Sequence, residues 1–162
     1  MSIRVADEAW IATALLHKEN PGAEDFGLDE IYERAMKEFH DRRPGVRQHI
    51  VSHAVASNPP DPAQIRMLHI SGRGRRRLFR PGDPVHPQRS GKVYPEKRDI
   101  PEIYHPLVDW YLKEYAQEGT QKKGSTDPKM WLQFVGLISA YDLRKMAEAI
   151  ESGTEQIDPR EW

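Results

Sequence analysis

The sequence predicts a mainly α protein with one small β-hairpin. Apolar residues recur at helical spacing in three successive segments before residue 57. Two short runs with apolar residues then flank a glycine-containing turn at residues 71–74, and another apolar helix follows a proline-rich stretch. The chain has 162 residues, of which 38% are hydrophobic and 30% are charged. This length suits one domain with an additional segment.

Composition excludes several classes of protein. The mean hydropathy is −0.77, and the chain has no apolar run near the roughly 18 residues that a membrane helix needs. It contains no cysteine, which excludes disulfide frameworks, thiolate nucleophiles and cysteine-based zinc sites. Asp7 and Glu8 interrupt the region where a signal peptide would be apolar. We therefore expect a cytoplasmic protein.

The first two helices are predicted by their apolar stripes and end signals. Residues 7–20 predict a helix with Asp7 as its N-cap, and Pro21 and Gly22 end it. The second helix has six apolar residues on one stripe. They are Leu28, Ile31, Tyr32, Ala35, Met36 and Phe39.

A third helix is predicted from Pro44 to about residue 57, with the proline in its first turn. Its inward arc comprises Val46, Ile50, Val51, Ala54 and Val55. Successive side chains on a helix are about 100° apart, so the residues opposite this arc form a polar face. That polar face contains no carboxylate. That face comprises Gln48, His49, Ser52, His53 and Ala56.

The rest of the chain divides into a hairpin, an arm, a helix and a tail. Residues 65–70 and 75–80 predict the hairpin strands, five prolines make residues 81–101 an irregular arm, and residues 102–117 are again helical. We expect a first domain at 1–117, a linker at 118–128 and a C-terminal segment at 129–162. In that segment Ser139 and Asp142 predict a capping box for a last helix.

The net charge of −1 hides a strong segregation along the chain. Residues 1–41 hold four Lys and Arg against ten acids, and residues 99–162 hold seven against twelve. Residues 42–98 hold thirteen Lys and Arg against only three acids. This middle third is a candidate polyanion-binding surface, which the overall isoelectric point of about 6.7 conceals.

Three helices followed by a two-stranded hairpin, with a four-residue connection between the second and third helices, resemble a winged helix-turn-helix over residues 5–80. The resemblance implies that the third helix enters the major groove of duplex DNA and that the hairpin, the wing, lies along the backbone. Its residues facing the bases would be Gln48, His49, Ser52 and His53. Arg43 and Arg47 would contact phosphates at the helix start.

The wing contributes five guanidiniums within eight residues. They belong to Arg73, Arg75, Arg76, Arg77 and Arg80. Guanidinium suits phosphate because its forked donors match two oxygens at once and it stays charged. We expect these side chains to be displayed for a polyanion. The third helix has no arginine toward the bases and one amide, Gln48, so sequence specificity could be low. The alternatives are a protein-docking or RNA-binding module, arginines that pair with an acidic neighbour such as residues 1–41, or a merely solvated basic surface.

The C-terminal residues 134–162 are similar to the tails of bacterial antitoxins that partner PIN-domain ribonuclease toxins. The similarity rests on a short capped helix followed by an acidic stretch that ends in Asp158-Pro159-Arg160-Glu161-Trp162, and Thr154 stands where many such tails have cysteine. It implies a partner bound through helix residues Leu143, Met146 and Ile150 and tail residues Ile157 and Trp162. Homodimerisation and packing on the chain's own core are the alternatives.

Enzyme classes are less well supported. His49 and His53 have the spacing of a zinc-peptidase helix, but Ile50 stands where that motif needs glutamate. Ser52 lacks the flanking glycines of a nucleophile elbow, and a metal-dependent nuclease would need carboxylates from distant segments. We therefore expect no catalytic residue, no metal and no cofactor. Together, the two resemblances imply a dimeric DNA-binding transcription regulator of antitoxin type.

Overall fold

The first helix forms the centre of the core. In a computed structural model, which describes residues 2–40, 43–60 and 63–118, α1 (Val5–Glu19) is buried along most of its length. Trp10 and Ile11 belong to one apolar cluster, and Ala9 belongs to another on the opposite side. A helix that is covered on several sides needs apolar residues around its circumference. The predicted helix is confirmed, but its N-cap is Arg4, and Asp7 is buried in the first turn.

The second helix agrees with its prediction. α2 (Leu28–Phe39) turns Ile31 and Ala35 into the core beside α1. The carboxylate of Glu30 accepts a hydrogen bond from the Gly27 N–H at 2.6 Å, which satisfies a donor at the helix start. His40, with φ at 54°, ends the helix in the left-handed conformation.

The third helix is shorter than predicted and changes its winding. α3 (Pro44–Gln48) continues into a π-helical turn, His49–His53, in which the Ala54 N–H donates to the His49 carbonyl at 3.0 Å. The Ala54 carbonyl accepts hydrogen bonds from the Met67 and Leu68 N–H groups at 3.0 and 2.9 Å. The prediction of a helix to residue 57 is wrong at its end, because the chain there bonds to the start of the hairpin instead.

The sheet has three antiparallel strands, one more than predicted. β1 (Phe26–Gly27), β2 (Leu68–Gly72) and β3 (Arg75–Leu78) lie in the order β1-β3-β2. The predicted hairpin is confirmed, with Gly74 at φ 67° in its turn. β1 adds a partner to the free edge of β3, so β3 is the central strand.

The proline-rich arm is irregular, as predicted, and a buried arginine fixes it to the core. Arg89 is only 3% exposed. Its guanidinium donates to five backbone carbonyls at 2.6 to 3.3 Å. Those carbonyls belong to Ser52, His53, Asn58, Pro59 and Ile65. The arm therefore closes over the end of the third helix.

The fourth helix docks on α1 and on the end of β3. After 3₁₀ turns at Lys97–Asp99 and Glu102–Tyr104, α4 (His105–Trp110) continues into a π-helical turn, Tyr111–Tyr115. The Tyr111 ring lies edge-on to Trp10 at 5.6 Å, and the Tyr115 hydroxyl donates to the Leu78 carbonyl at 3.1 Å. The described part of the chain is thus mainly α with a small antiparallel sheet, as the sequence predicts.

Candidate nucleic-acid interface

An exposed stripe follows the third helix. Arg47 and Gln48 at the end of α3 are exposed, and Val51 in the π-helical turn is 40% exposed. The side-chain amide of Gln48 has no hydrogen-bond partner among the described residues, whereas Val46 and Ile50 are fully buried on the other side. The stripe presents one cation, one amide and one apolar side chain to solvent.

The histidines and the serine of the predicted outer face lie at its margin instead. His49, Ser52 and His53 are half-buried. The His49 ring nitrogen Nδ1 lies 2.9 Å from the Gly45 carbonyl, and the two imidazoles meet edge-on at 5.2 Å. Only Gln48 of the four residues predicted to face DNA bases is fully on the exposed stripe. Val51, predicted to face inward, takes the exposed place because the π-helical turn changes the angle between successive side chains.

Each of the two arginines at the helix start has a carboxylate partner. Arg43 forms an ion pair with the buried carboxylate of Glu8, and its Nη1 also donates to the Ile3 carbonyl at 2.9 Å. Arg47 lies 2.8 Å from a carboxylate oxygen of Asp29 and 5.6 Å from the centre of the Tyr32 ring. The side chain of Arg47 remains 50% exposed, so it is the more accessible of the two.

Two of the wing arginines are part of the folded core. Arg76 is 7% exposed, and its guanidinium donates to the Arg75 carbonyl at 2.8 Å and the Val51 carbonyl at 3.1 Å. Burial lowers the pKa of Arg76. Arg77 makes two hydrogen bonds of 2.8 Å with the carboxylate of Asp83. Burial would raise the pKa of Asp83, but the hydrogen bonds from Arg77 and from the Arg80 N–H, together with the charge of Arg77, outweigh it and hold that pKa low.

Arg80 is also engaged within the protein. Its guanidinium lies 2.9 Å from a carboxylate oxygen of Glu118 and 4.1 Å from the centre of the Tyr115 ring, and the side chain is 15% exposed. The expectation that all five wing guanidiniums are displayed is therefore wrong for Arg76, Arg77 and Arg80. The physical reason is that β1, the arm and the helix after it surround β3 on several sides.

Two wing arginines remain near the surface at the hairpin turn. Arg75 lies 2.6 Å from Asp25 and 3.6 Å from Glu30, and its side chain is 46% exposed. Arg73 is exposed and has no ion pair or hydrogen bond among the described residues. An exposed ion pair contributes only about 0–1 kcal/mol, so Arg75 and Arg47 can exchange their carboxylates for another anion at low cost. Among the described arginines that were predicted to contact DNA, the accessible ones are thus Arg47, Arg73 and Arg75.

A cavity of about 290 Å³ lies beside α1 and α4. His17, Trp110 and Tyr115 contribute aromatic walls, and the chain's own Lys18 and Arg80 cover two of the rings. Burial, followed by the charges of Arg80 and Arg77, lowers the pKa of His17 to about 4. The imidazole is therefore neutral near pH 7 and packs against Phe26 at 4.9 Å.

Metal-binding and membrane-spanning features were sought within residues 2–40, 43–60 and 63–118. No three His, Asp or Glu side chains of this part come together in a group that could hold a metal ion. None of its helices is long and apolar enough to span a bilayer. The tail residues Leu143, Met146, Ile150, Ile157 and Trp162, like most of the 118–128 linker, lie outside the described residues.

Comparisons of the chain with known proteins give no match. No protein-family model, no curated protein and no solved structure matches the chain. The sequence prediction misplaced two residues that shape the face: Val51 was expected to face inward, and Arg76 was expected to be displayed. Val51 gave no signal, because the π-helical turn depends on the bonds of Ala54 to the hairpin. The alternation of burial along β3 could have indicated Arg76, since it shares a face with the buried Leu78.

Proposed function

We propose that this protein is a non-catalytic, cytoplasmic DNA-binding protein of winged-helix type that regulates transcription in bacteria. The observation that carries the proposal is the exposed stripe of Arg47, Gln48 and Val51, on the third helix of a three-helix and hairpin arrangement. A helix that presents an unpaired amide to solvent can place it against base edges in a major groove. The hairpin turn, with Arg73 and Arg75, would lie against the phosphate backbone.

The electrostatic part of the binding is smaller than the sequence suggests. Binding through all five wing arginines would give a slope of log affinity against log salt of about −4.5, whereas three accessible cations give about −2.7. Titration of a fluorescent duplex at four salt concentrations measures the slope. A flat slope, or no binding below the micromolar range at 50 mM salt, would contradict the proposal.

The regulatory part of the proposal is an antitoxin role, and it rests on the tail sequence. In this form the protein, as a dimer, represses its own promoter and binds a PIN-domain ribonuclease through residues 134–162. Deletion of 134–162 should abolish capture of the ribonuclease while duplex binding persists. Capture that survives the deletion would contradict the tail assignment, and unfolding of the shortened chain would favour the self-packing alternative.

A protein-docking module is the second candidate. Two observations favour it: Arg76, Arg77 and Arg80 have partners within the chain, and the apolar side chains of Val51 and Ile70 are 40% and 36% exposed. A partner bound to this surface would give an affinity that hardly changes with salt. The same titration therefore separates the two candidates, and single-stranded and duplex RNA competitors test the RNA-binding alternative.

A further inference from the structure

The exposed stripe contains two uncharged side chains, the amide of Gln48 and the isopropyl group of Val51. We propose that Gln48 and Val51 recognise adjacent A·T base pairs, Gln48 through the adenine edge and Val51 through the thymine methyl group. This inference rests on the proposed DNA-binding function and deepens it, because it names the sequences that the site prefers. It concerns the two stripe residues that carry no charge.

Gln48 has the groups that adenine requires. Its side-chain amide is exposed and has no partner among the described residues, so binding breaks no internal hydrogen bond of that amide. A carboxamide can accept from the adenine N6 amino group and donate to N7 at the same time. Guanine presents two acceptors in the major groove, which one amide cannot satisfy in the same way.

Val51 offers only apolar contact. Its isopropyl group is 40% exposed although Ile50 beside it is fully buried. In the major groove the C5-methyl of thymine is the apolar group that such a side chain can contact. Ile70 is also 36% exposed, and it pairs across the sheet with Arg76, the residue that bonds to the Val51 carbonyl.

A hydrogen bond from Arg76 fixes the backbone at Val51. The buried guanidinium of Arg76 donates to the Val51 carbonyl at 3.1 Å, so the hairpin and the π-helical turn are joined at this residue. A side chain on a fixed backbone loses less conformational freedom on binding. The arrangement gives Arg76 a positioning role rather than a phosphate contact.

Arg47 adds an exchangeable cation to the stripe. In the free protein it lies 2.8 Å from a carboxylate oxygen of Asp29 and 5.6 Å from the centre of the Tyr32 ring, both on α2. This exposed ion pair is weak, so Arg47 can exchange Asp29 for a phosphate. The preference for A·T pairs therefore comes from Gln48 and Val51.

Selection from randomised duplexes with the full chain tests the inference. We expect enrichment of adjacent A·T pairs in the bound pool. In the selected duplex, replacing the contacted thymine by uracil removes one methyl group and should weaken binding about fourfold. Val51→Ala should bind the thymine and uracil duplexes equally. Gln48→Ala should lose at least fivefold of the preference for adenine over guanine.

Leu112→Ala provides the matched control, because Leu112 is 39% exposed on the helical segment after α4 and outside the stripe. It should keep both preferences, and circular dichroism melting should show that all three variants fold. Salt-dependent duplex binding with a G·C preference, or with no response to uracil, would overturn the inference and leave the proposed function standing. Absence of duplex binding would overturn both.

Discussion

Two buried arginine side chains connect backbone segments in the middle of the chain. Arg89 and Arg76 are both nearly buried, and the structure records hydrogen bonds from their guanidiniums to backbone carbonyls only. Burial lowers the pKa of both residues. The forked donors of arginine can serve several carbonyls at once, which a point charge cannot do. At these two positions the hydrogen-bond donors of arginine therefore hold the backbone together, and burial of the charge is a cost that they offset.

Arg89→Lys should lower the free energy of unfolding by about 2–4 kcal/mol, because lysine leaves several of the five carbonyls without the buried donor that they share. Urea unfolding at pH 7 measures the change. Arg98→Lys is the matched control, since the Arg98 side chain is 79% exposed beside Glu96, and it should stay within about 0.5 kcal/mol of the parent. Equal effects of the two substitutions would contradict the structural role of Arg89.

The buried imidazole of His17 should make stability fall in mild acid. Its pKa is about 4 in the folded protein against 6.5 in the unfolded chain. Between those values the unfolded chain holds a proton that the folded protein lacks, so the contribution of His17 is complete above pH 6.5 and is lost as the pH falls toward 4. The full loss is about 3 kcal/mol.

The difference between the free energies of unfolding at pH 7 and pH 4.5 measures this contribution. His17→Gln should reduce that difference by about 2–3 kcal/mol, because the glutamine side chain does not titrate. NMR of the parent protein should show the His17 ring still neutral at pH 5.5. A ring that titrates near 6.5 would contradict the buried placement.

At the scale of elements, the hairpin depends on its turn and on its neighbours. The turn between β2 and β3 needs the left-handed conformation at Gly74, and the Gly74 carbonyl accepts from the Leu28 N–H at 3.1 Å, at the start of α2. The sheet, the second helix and the π-helical turn are thus connected around the hairpin. The proposed wing is a fixed element rather than a free ribbon.

Gly74→Ala should lower the free energy of unfolding by about 1 kcal/mol, because φ is 67° there and an L side chain is strained in this conformation although no atom lies within 4 Å of its Cβ position. Gly22→Ala is the control, because it is equally open and has no positive φ. Thermal melts of both variants measure the difference. A Gly74 variant as stable as the Gly22 variant would show that the turn differs from this description.

At the scale of the whole molecule, the charges that are separated along the chain are brought together in space. Arg75 pairs with Asp25, 50 residues earlier, and Arg80 pairs with Glu118, 38 residues later. The acidic ends therefore neutralise much of the basic middle third. Among the described arginines that were predicted to contact DNA, those left accessible to a polyanion lie around the hairpin turn and the third helix.

Substitution of Arg73 should change duplex binding and not stability, whereas substitution of Arg77 should lower stability. Arg73→Ala should leave the melting temperature unchanged and reduce the salt slope of duplex binding by about 0.9, because one exposed cation is removed. Arg77→Ala should lower the free energy of unfolding by about 3 kcal/mol, since Asp83 loses its ion-pair partner and keeps the hydrogen bond from the Arg80 N–H. Calorimetry and the salt titration measure the two effects. The reverse pattern would contradict the division between exposed and structural arginines.

The sequence by itself determined the elements whose signals are local. The stripe of α2, the glycine turn of the hairpin and the prolines of the arm each act within a few residues, so periodicity and turn chemistry predict them. Of the candidate site, Gln48 was predicted in its exposed place. The winged-helix and antitoxin resemblances stay predictions.

Only the tertiary structure decided which arginines are free, where the third helix changes its winding, and that a two-residue strand joins the sheet. A strand as short as β1 has no periodicity to detect. Ion pairs such as Arg75–Asp25 and Arg80–Glu118 depend on folding, because their partners are far apart in sequence. Composition counts charges along the chain, whereas the field at a surface depends on which charges folding brings within a few ångströms of each other.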